Sequence, residues 1–477
     1  MSNSPYTVEE ARAILNGAYK TYDVRGVVGR DITLEVAYAT GAAFVDEVEA
    51  CCKTIVVGHD MRDSSQPFSL AFIEGARERG ANVILMGLCS TDENYFASGL
   101  LDMPSAIFTA SHNPAEYNGI KMCRAGAKSI SKDTGLDSIK ERALIYMVEG
   151  VPVVEKMGTL TRKDLMQDYV TFMRSKVELE NARPLKIVID TANGMGGFTV
   201  PSVFGEAAGF DALPFEIIPL YFELDGSFPN HEANPLDVEN LKDLRAKVLE
   251  TGADLGLAFD GDADRCFVVD NEGNPVEASA VAAVISLREI AAAKARGEED
   301  IKVLHSLTTS LNVPKVIRDA GAEPIRVKVG HSLAKAEMAR TGAIFGGEHS
   351  GHYYFQSMWN ADSGMLAALH MIGEVNDTGL TMAELAKKYT PYFSSGEINT
   401  RVTDATVANN NILEAFSSRG EVDHLDGITV SHCDGEEFWW ISVRSSNTEP
   451  LLRLNVEASS KELMENIRDE ALTLIRS

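Results

Sequence analysis

Three segments of the chain share one order of predicted elements: an apolar strand, a helix and a second apolar strand. They cover residues 53–86, 185–220 and 301–327. Strands that alternate with helices favour parallel sheets covered by helices, and repetition of one such unit favours several related domains. The sequence therefore predicts three related α/β domains.

The last part of the chain has a different pattern. Two strand-like runs, residues 437–443 and 451–456, flank a polar loop, and a helix is expected from Lys461 onward. This pattern predicts a smaller α+β domain with an antiparallel sheet. A chain of 477 residues is long enough for four domains, each with its own core. We expect them at 1–150, 151–268, 269–380 and 381–477.

Composition excludes several classes of protein. The chain is 45% hydrophobic without an apolar run of membrane-spanning length, which argues against a membrane protein. The net charge of −26, with no basic stripe, argues against nucleic acid as a partner. The polar start, with a capping box at residues 7–10, does not resemble a signal peptide. The six cysteines lack zinc spacing and the density of secreted scaffolds, so we expect a cytoplasmic protein with reduced thiols.

A loop after the apolar run 106–108 gathers several reactive side chains. Ser111, His112, Asn113 and Lys121 lie within thirteen residues. A hydroxyl is a poor nucleophile unless a base or a pre-installed group activates it, and this loop offers candidates for both roles. By itself, a Ser-His-Asn-Pro stretch is more typical of a surface turn. The loop indicates a reacting site only together with a second motif.

The second motif is a run of alternating carboxylates, Asp260, Asp262 and Asp264, directly after the strand-like run 255–259. An EF-hand calcium loop begins similarly, but its required glycine and glutamate are replaced here by Arg265 and Asn271. Side chains two positions apart on an extended chain point the same way, and carboxylates placed together repel unless a cation or protons intervene. Oxygen ligands favour a hard ion, most simply Mg²⁺. The two motifs together suggest metal-assisted phosphoryl transfer through serine.

With these two motifs, the chain resembles the alpha-D-phosphohexomutase family, and within it the phosphomannomutase and phosphoglucomutase branch. The resemblance covers nearly the whole length, and the family's signatures occur in the family's order. They are residues 22–26 (YDVRG), the Ser111 loop, the metal loop 260–265, a sugar loop at 347–352 (GEHSGH) and a phosphate loop at 444–450 (RSSNTEP). The resemblance implies three related α/β domains and a smaller fourth domain around one central cleft.

The resemblance also implies roles in catalysis. A phosphorylated Ser111 would give its phosphoryl group to a sugar monophosphate, and the resulting hexose 1,6-bisphosphate would return the other phosphoryl group. Asp260, Asp262, Asp264 and the serine phosphate would hold the metal. Lys121, His331 and Arg25 complete the expected catalytic set. We expect a buried cationic setting to lower the Lys121 pKa toward the working range. A histidine such as His331, considered alone, is more often a hydrogen-bonded structural residue.

Substrate binding is assigned in the same way. Glu348 and Ser350 would hydrogen-bond the sugar's 3- and 4-hydroxyls. The phosphate that is not transferred would be held by the loop residues Arg444, Ser446, Asn447 and Thr448. Tyr22, Arg265, His352 and Arg453 complete the expected substrate-binding set. For each arginine, pairing with a surface carboxylate is the simpler alternative.

The expected activity is the interconversion of mannose 6-phosphate and mannose 1-phosphate, with glucose phosphates as further substrates. Such an enzyme is an isomerase of the intramolecular phosphotransferase type, with Mg²⁺ as its cofactor and hexose 1,6-bisphosphate as its activator. Two alternatives stay open: a phosphoglucosamine mutase, and a catalytically silent relative that only binds phosphosugars. The expected partners are small hexose phosphates, and the oligomeric state is left open.

Overall fold

The computed structural model describes residues 6–152, 154–402, 404–445 and 451–476. Four sheets follow one another along the chain. The first part contains helices α1 (Val8–Ala18), α2 (Leu34–Glu47), α3 (Ser65–Glu78), α4 (Thr91–Leu101) and α5 (Leu136–Glu149). Its strands are β1 (Val24–Val27), β2 (Thr54–His59), β3 (Asn82–Leu88), β4 (Ser105–Phe108), β5 (Tyr117–Arg124), β6 (Lys128–Ser129) and β7 (Leu160–Arg162). The capping box predicted at residues 7–10 begins α1.

The second and third parts repeat this plan with fewer elements. The second has α6 (Met166–Lys176), α7 (Gly196–Val203), α8 (Lys242–Thr251), β8 (Leu185–Asp190), β9 (Phe215–Leu220), β10 (Leu255–Phe259) and β11 (Cys266–Val269). The third has helices α9 (Ala278–Ala295), α10 (Asn312–Asp319), α11 (His331–Thr341), α12 (Gly364–Thr378) and α13 (Met382–Tyr389). Its strands are β12 (Lys302–Ser306), β13 (Glu323–Val327), β14 (Phe345–Gly347), β15 (Tyr353–Phe355) and β16 (Ala361–Asp362).

The fourth part is the predicted α+β domain. It contains β17 (Phe393–Arg401), α14 (Ala405–Phe416), β18 (Glu421–Asp423), β19 (Ile428–Asp434), β20 (Glu437–Ser445), β21 (Leu451–Ala458) and α15 (Lys461–Arg476). The strand order is β17-β21-β20-β19-β18, and every neighbouring pair is antiparallel. The fold class is therefore the expected one: three α/β domains and a C-terminal α+β domain.

The first three sheets are mixed rather than wholly parallel. Strand orders are β1-β5-β4-β2-β3-β7, with β6 beside β5, then β11-β10-β8-β9 and β13-β12-β14-β15-β16. In each sheet a parallel strand, β4, β10 or β14, is followed by an antiparallel neighbour, β5, β11 or β15. The three connecting loops therefore leave the carboxyl ends of parallel strands at equivalent places in the three domains.

The domains are joined by shared apolar packing and by a buried carboxylate. One core cluster contains Phe96 of the first domain, Ile187 of the second and Leu366 of the third. Asp92, at the start of α4, accepts hydrogen bonds from the Tyr169 hydroxyl at 2.9 Å and the Ser363 hydroxyl at 2.7 Å. Burial raises the pKa of Asp92 to about 6, although these hydroxyls oppose the shift. The first three domains consequently form one interlocked body.

The domain boundaries near 150, 268 and 380 stay predictions, and two elements bear on them. Strand β11 runs across position 268 and pairs with β10 of the second sheet. Helix α13 begins after position 380, yet its Met382 and Leu385 belong to the core cluster of the preceding domains. Among the described residues, no helix is long and apolar enough to cross a membrane.

Candidate active site

The three equivalent loops carry most of the residues predicted to act together. The β4–β5 loop contains Ser111, the β10–β11 loop contains the three aspartates, and the β14–β15 loop contains Glu348. The Ser111 hydroxyl donates a hydrogen bond of 2.9 Å to Asp260 Oδ2, across 149 residues of sequence. Topology thus brings the two motifs into direct contact.

The Ser111 backbone has an unusual conformation. Its φ of 49° lies in the left-handed region, a conformation that residues other than glycine adopt only at a cost in free energy. The Ser111 N–H donates to the Thr109 hydroxyl at 2.9 Å. Gly261 lies against this turn, since a Cβ atom there would be 2.3 Å from the Ser111 carbonyl oxygen. Only glycine lets the two loops approach this closely.

The carboxylate cluster is buried and holds the Lys121 ammonium. Lys121 Nζ donates to Asp262 Oδ2 at 2.7 Å and to Asp264 Oδ2 at 2.6 Å. Burial alone would lower the Lys121 pKa, but the two aspartates outweigh burial and raise this pKa well above its ordinary value. The expectation of a lowered Lys121 pKa was therefore wrong in this arrangement, because the cationic site expected around Lys121 is anionic.

The donor set of this cluster fits a hard metal ion. Asp260, Asp262 and Asp264 each offer an oxygen, and these atoms lie within 4.8 Å of one another. Among the residues that the structure describes, Asp262 Oδ1 and Asp264 Oδ1 are buried without a hydrogen-bond partner. Buried carboxylate oxygens without partners are costly unless a cation or proton compensates them. Acidic oxygen ligands can hold a metal of the Mg²⁺ or Ca²⁺ class at this point.

Arg265 places a positive charge next to Ser111 and Asp260. Its guanidinium Nε and Nη2 donate to Asp260 Oδ2 at 3.0 and 2.9 Å. Burial raises the pKa of Asp260 to about 7, while Arg265 opposes the shift. Arg265 Nη2 also donates to His112 Nδ1. Burial, followed by the charge of Arg265, lowers the His112 pKa well below its ordinary value, so this imidazole is neutral.

Strand β1 and the residues just before it bring two further predicted residues close to these loops. Arg25 lies on β1, opposite Gly119 of β5. Its Nη1 donates to the Asn113 side-chain oxygen at 2.8 Å, and its Nη2 pairs with Asp23 at 2.6 Å. Tyr22 lies near the start of α11, since a Cβ atom at Gly330 would be 2.9 Å from the Tyr22 hydroxyl oxygen. The YDVRG segment is thus placed between the Ser111 loop and the third domain.

In the sugar loop, residues 347–352, polar side chains lie close to one another. The Ser350 hydroxyl donates to Glu348 Oε2 at 2.9 Å, and the Gly330 N–H donates to Glu348 Oε1 at 3.2 Å. His352 lies close enough to Asp264 for ligand atoms of the two residues to be within 4.8 Å. Burial lowers the His352 pKa to about 4, despite the nearby carboxylate. The loop therefore reaches the metal-type cluster of the second domain.

The predicted phosphate-binding residues are only partly described. Arg444 and Arg453 both contact Glu397, with Nη2–Oε2 and Nη1–Oε1 distances of 3.1 and 3.3 Å. Burial lowers the pKa of the half-buried His349 of the sugar loop, and the nearby charge of Arg444 lowers it further, so the fourth domain lies close to this loop. Ser446, Asn447 and Thr448 lie outside the described residues, as does the His331 side chain.

Two residues near Ser111 were not found by sequence reasoning. Thr91, at the start of α4, donates its hydroxyl hydrogen bond to Asp262 Oδ2. Arg62 donates to the Ser111 carbonyl oxygen at 3.0 Å. Arg62 and Thr91 follow the parallel strands β2 and β3, and the carboxyl ends of these strands meet at one edge of the sheet. Both residues follow a parallel strand at the sheet edge where the Ser111 loop also begins. This shared position is the sequence signal that could have identified them.

Comparison with known families decides what this site belongs to. Four family models match in order: phosphoglucomutase/phosphomannomutase domain I (residues 17–144), domain II (167–273), domain III (280–392) and the C-terminal domain (397–474). The chain belongs to the phosphoglucomutase/phosphomannomutase family. The four matches follow the order of the four sheets and include the Ser111, Asp260 and Glu348 loops.

Individual relatives match over their whole length. The chain is 37% identical to a phosphomannomutase of Escherichia coli (strain K12), over 96% of this chain and 98% of that protein. It is also 37% identical to a protein named phosphohexose mutases from Xanthomonas campestris pv. campestris (strain B100), covering 96% and 99%. A crystal structure of a phosphoglucomutase/phosphomannomutase family protein from Burkholderia thailandensis superposes with a TM-score of 0.82 at 30% identity, covering 97% of each chain.

Proposed function

We propose that this protein is a phosphohexomutase that interconverts mannose 6-phosphate and mannose 1-phosphate, and also accepts glucose phosphates. It is an isomerase of the intramolecular phosphotransferase type. One observation carries the chemistry: the Ser111 hydroxyl lies 2.9 Å from Asp260, at the edge of a buried three-carboxylate cluster that also binds Lys121. Full-length similarity to phosphomannomutases supports the choice of sugar.

The proposed reaction passes through a phosphoserine. A phosphoryl group on Ser111 is transferred to the free hydroxyl of a hexose monophosphate, and the hexose 1,6-bisphosphate returns its other phosphoryl group to Ser111. Hexose 1,6-bisphosphate is accordingly the activator. Asp260, Asp262, Asp264 and the serine phosphate would hold Mg²⁺, which when bound supplies positive charge against the transferring group.

The chain's own residues handle charge and protons around Ser111. Arg265 and Lys121 are fixed cations within the cluster, and they offset the charge that a phosphate would add. Lys121, a protonated ammonium in this arrangement, is the proposed proton donor to the reacting oxygen, with His331 as its proposed counterpart. Arg25, which binds Asn113 of the Ser111 loop, orients the loop and the incoming phosphate.

Substrate recognition is proposed for the third and fourth domains. Glu348 and Ser350 accept and donate to adjacent sugar hydroxyls, and their mutual hydrogen bond shows that the two side chains reach one point. Tyr22, Arg265 and His352 border the same region. The phosphate that is not transferred must lie far enough from Ser111 to leave room for the sugar, and its proposed ligands are Arg444, Arg453, Ser446, Asn447 and Thr448.

We also propose a cytoplasmic location, with small hexose phosphates as the partners. The six cysteines of the chain all lie in its described part, and each of them is a free thiol there. Exposed thiols such as Cys51 and Cys433 are typical of a reducing compartment.

The proposed function is tested by comparing catalytic efficiency on mannose 1-phosphate, glucose 1-phosphate and glucosamine 1-phosphate, with a hexose bisphosphate present. Glu348 and Ser350 are proposed to contact hydroxyls that glucose and mannose share. Discrimination at the 2-position should therefore be worth on the order of 1 kcal/mol, or several-fold in rate. We expect both hexose phosphates to react and glucosamine 1-phosphate to be poor. Preference for glucosamine 1-phosphate, or binding of all three without turnover, would contradict the proposal.

A further inference from the structure

Arg62 is a buried arginine that grips the Ser111 loop by its backbone. It lies in the turn after β2, and only 3% of it is exposed. Its Nη2 donates to the carbonyl oxygens of Ser111 and Asn113 at 3.0 and 2.6 Å. Its Nη1 donates to those of Pro114 and Tyr117 at 2.8 and 3.0 Å. One guanidinium therefore spans the loop from the proposed nucleophile to the first residue of β5.

Arg62 is itself fixed from both sides. Asp60 Oδ1 accepts the Arg62 N–H at 3.0 Å, and Asp60 Oδ2 lies 3.4 Å from the guanidinium Nε. From the second domain, the Phe228 ring lies over the guanidinium, with its centroid 4.9 Å from Cζ. A Cβ atom at Gly226 would be 2.7 Å from Arg62 Cα, so this second-domain loop is in tight contact with Arg62.

These contacts make Arg62 a link between the Ser111 loop and the second domain. The Ser111 loop belongs to the first domain, and the loop that carries Phe228 belongs to the domain of Asp260. Several carbonyl oxygens converge on one point, an arrangement that requires a planar donor with several N–H groups. Lysine supplies one compact charge instead of this fork. The guanidinium binds the carbonyl oxygen of Ser111, whose φ of 49° is left-handed, a conformation that persists only where surrounding contacts hold it.

We propose that Arg62 is a positioning residue for phosphoryl transfer, which holds the Ser111 hydroxyl against Asp260 without touching the substrate. Phe228 sets the plane of the guanidinium from the neighbouring domain. This inference rests on the proposed mutase function. Misplacing a reacting group by about 1 Å can cost roughly 100-fold in rate, and this sets the size of the expected effect.

The test compares Arg62→Lys with a matched arginine elsewhere. Arg174 also binds carbonyl oxygens, those of Val203, Asp211 and Gly205, at 2.9, 2.7 and 3.2 Å. It also lies over an aromatic ring, that of Phe210, at 5.5 Å. Arg174→Lys therefore removes the same type of carbonyl and aromatic contacts away from Ser111, at a half-buried position. For Arg62→Lys we expect kcat to fall about 100-fold with KM changed less than about threefold, while Arg174→Lys keeps the kcat of the folded enzyme.

Chemical rescue separates positioning from general destabilisation. In Arg62→Ala, millimolar guanidinium should restore part of kcat, whereas methylammonium at equal ionic strength should not, because it lacks the planar fork. Phe228→Leu should lower kcat about three- to tenfold through a less constrained guanidinium. If Arg62→Ala does not fold, Arg62→Lys and Phe228→Leu decide the question.

Failure of the Arg62 inference and failure of the proposed function give different experimental results. If kcat of Arg62→Lys stays within about threefold of the wild-type value while its melting temperature falls with that of Arg174→Lys, Arg62 is merely structural and the inference is overturned. If the wild-type protein turns over none of the three hexose phosphates, the proposed function itself fails, and that result is visible before any variant is measured.

Discussion

Lys121 and Arg265 set two positive charges against three buried aspartates. Lys121 pairs with Asp262 and Asp264, and Arg265 pairs with Asp260. With all three aspartates ionised, the side-chain charges of this cluster sum to about −1, and a serine phosphate would add nearly two more. The side chains at this point are therefore poised for an added cation.

The first prediction at this scale concerns the nucleophile. Purified active protein should carry phosphate on Ser111, and Ser111→Ala should lower turnover by at least about two orders of magnitude, because the covalent step is lost. Intact-mass measurement, with the phosphopeptide mapped, checks the first part, and steady-state kinetics checks the second. A fully active enzyme with its phosphate on another residue would disprove the assignment.

The second prediction concerns the metal. Chelation should abolish activity and Mg²⁺ should restore it. Asp262→Asn should weaken metal affinity at least about tenfold, because one anionic oxygen donor is lost. Calorimetric titration of the protein with Mg²⁺ or Mn²⁺ measures this without relying on turnover. Asp243→Asn, which changes an aspartate bound to the Tyr221 hydroxyl outside the cluster, is the control and should bind metal like the wild type.

At the scale of elements, the site is built from one repeated hairpin. The Ser111, Asp260 and Glu348 loops each connect a parallel strand to its antiparallel neighbour. Apolar runs bounded by polar turns predicted the strands themselves, for example 82–86 within β3 and 451–456 within β21. Strand direction was not predictable from the sequence. The apolar run of β11 is compatible with parallel or antiparallel pairing to β10 and does not distinguish the two.

Contacts across the chain explain the rest of what sequence could not give. The Ser111–Asp260 pairing was inferred from chemistry, since no local pattern sets a distance across 149 residues. The Lys121 pKa was mispredicted because the sequence does not reveal which charges surround its ammonium. Arg62 was missed because its partners are backbone carbonyls, and any sequence at those positions would supply them.

An element-scale prediction concerns the helix start at α13. Thr381 and Glu384 form a capping box, in which the Thr381 hydroxyl accepts from the Glu384 N–H at 3.2 Å. Thr381→Ala should reduce the free energy of unfolding by about 1 kcal/mol, because helix N–H groups lose their acceptor. Denaturant titration measures this change. Thr171→Ala removes an exposed hydroxyl that bonds only within helix α6, and it should cost less; an equal loss would contradict the cap.

At the scale of the whole molecule, the domains differ in how far their hydrophobic cores are shared with neighbouring domains. The first domain has a core of its own around Phe44 and Phe72, but its Phe96 also packs into the core that contains Ile187 of the second domain and Leu366 of the third. The fourth has a separate core around Phe416, Ile441 and other residues of its own sheet and helices. The elements that carry Ser111, the aspartates and Glu348 are thus tied into one body, while the phosphate-binding arginines lie on a domain with independent packing.

The whole-molecule prediction addresses the carboxylate that ties three domains together. Asp92→Ala would leave the buried hydroxyls of Tyr169 and Ser363 without their acceptor. The free energy of unfolding should fall by about 2–4 kcal/mol, which urea titration can measure. Tyr169→Phe, which removes a single partner, should cost about 1 kcal/mol. Equal effects of the two substitutions would show that Asp92 does not act as a junction.

The left-handed backbone at Ser111 has a consequence for engineering. Glycine adopts a φ of 49° freely, whereas serine pays roughly 1 kcal/mol for it. Ser111→Gly would relieve this strain, but it would also remove the hydrogen bond to Asp260 and make the unfolded chain more flexible. Backbone strain at this position is therefore retained together with the hydroxyl that phosphorylation needs, and a screen for heat resistance alone would not detect the loss of that hydroxyl.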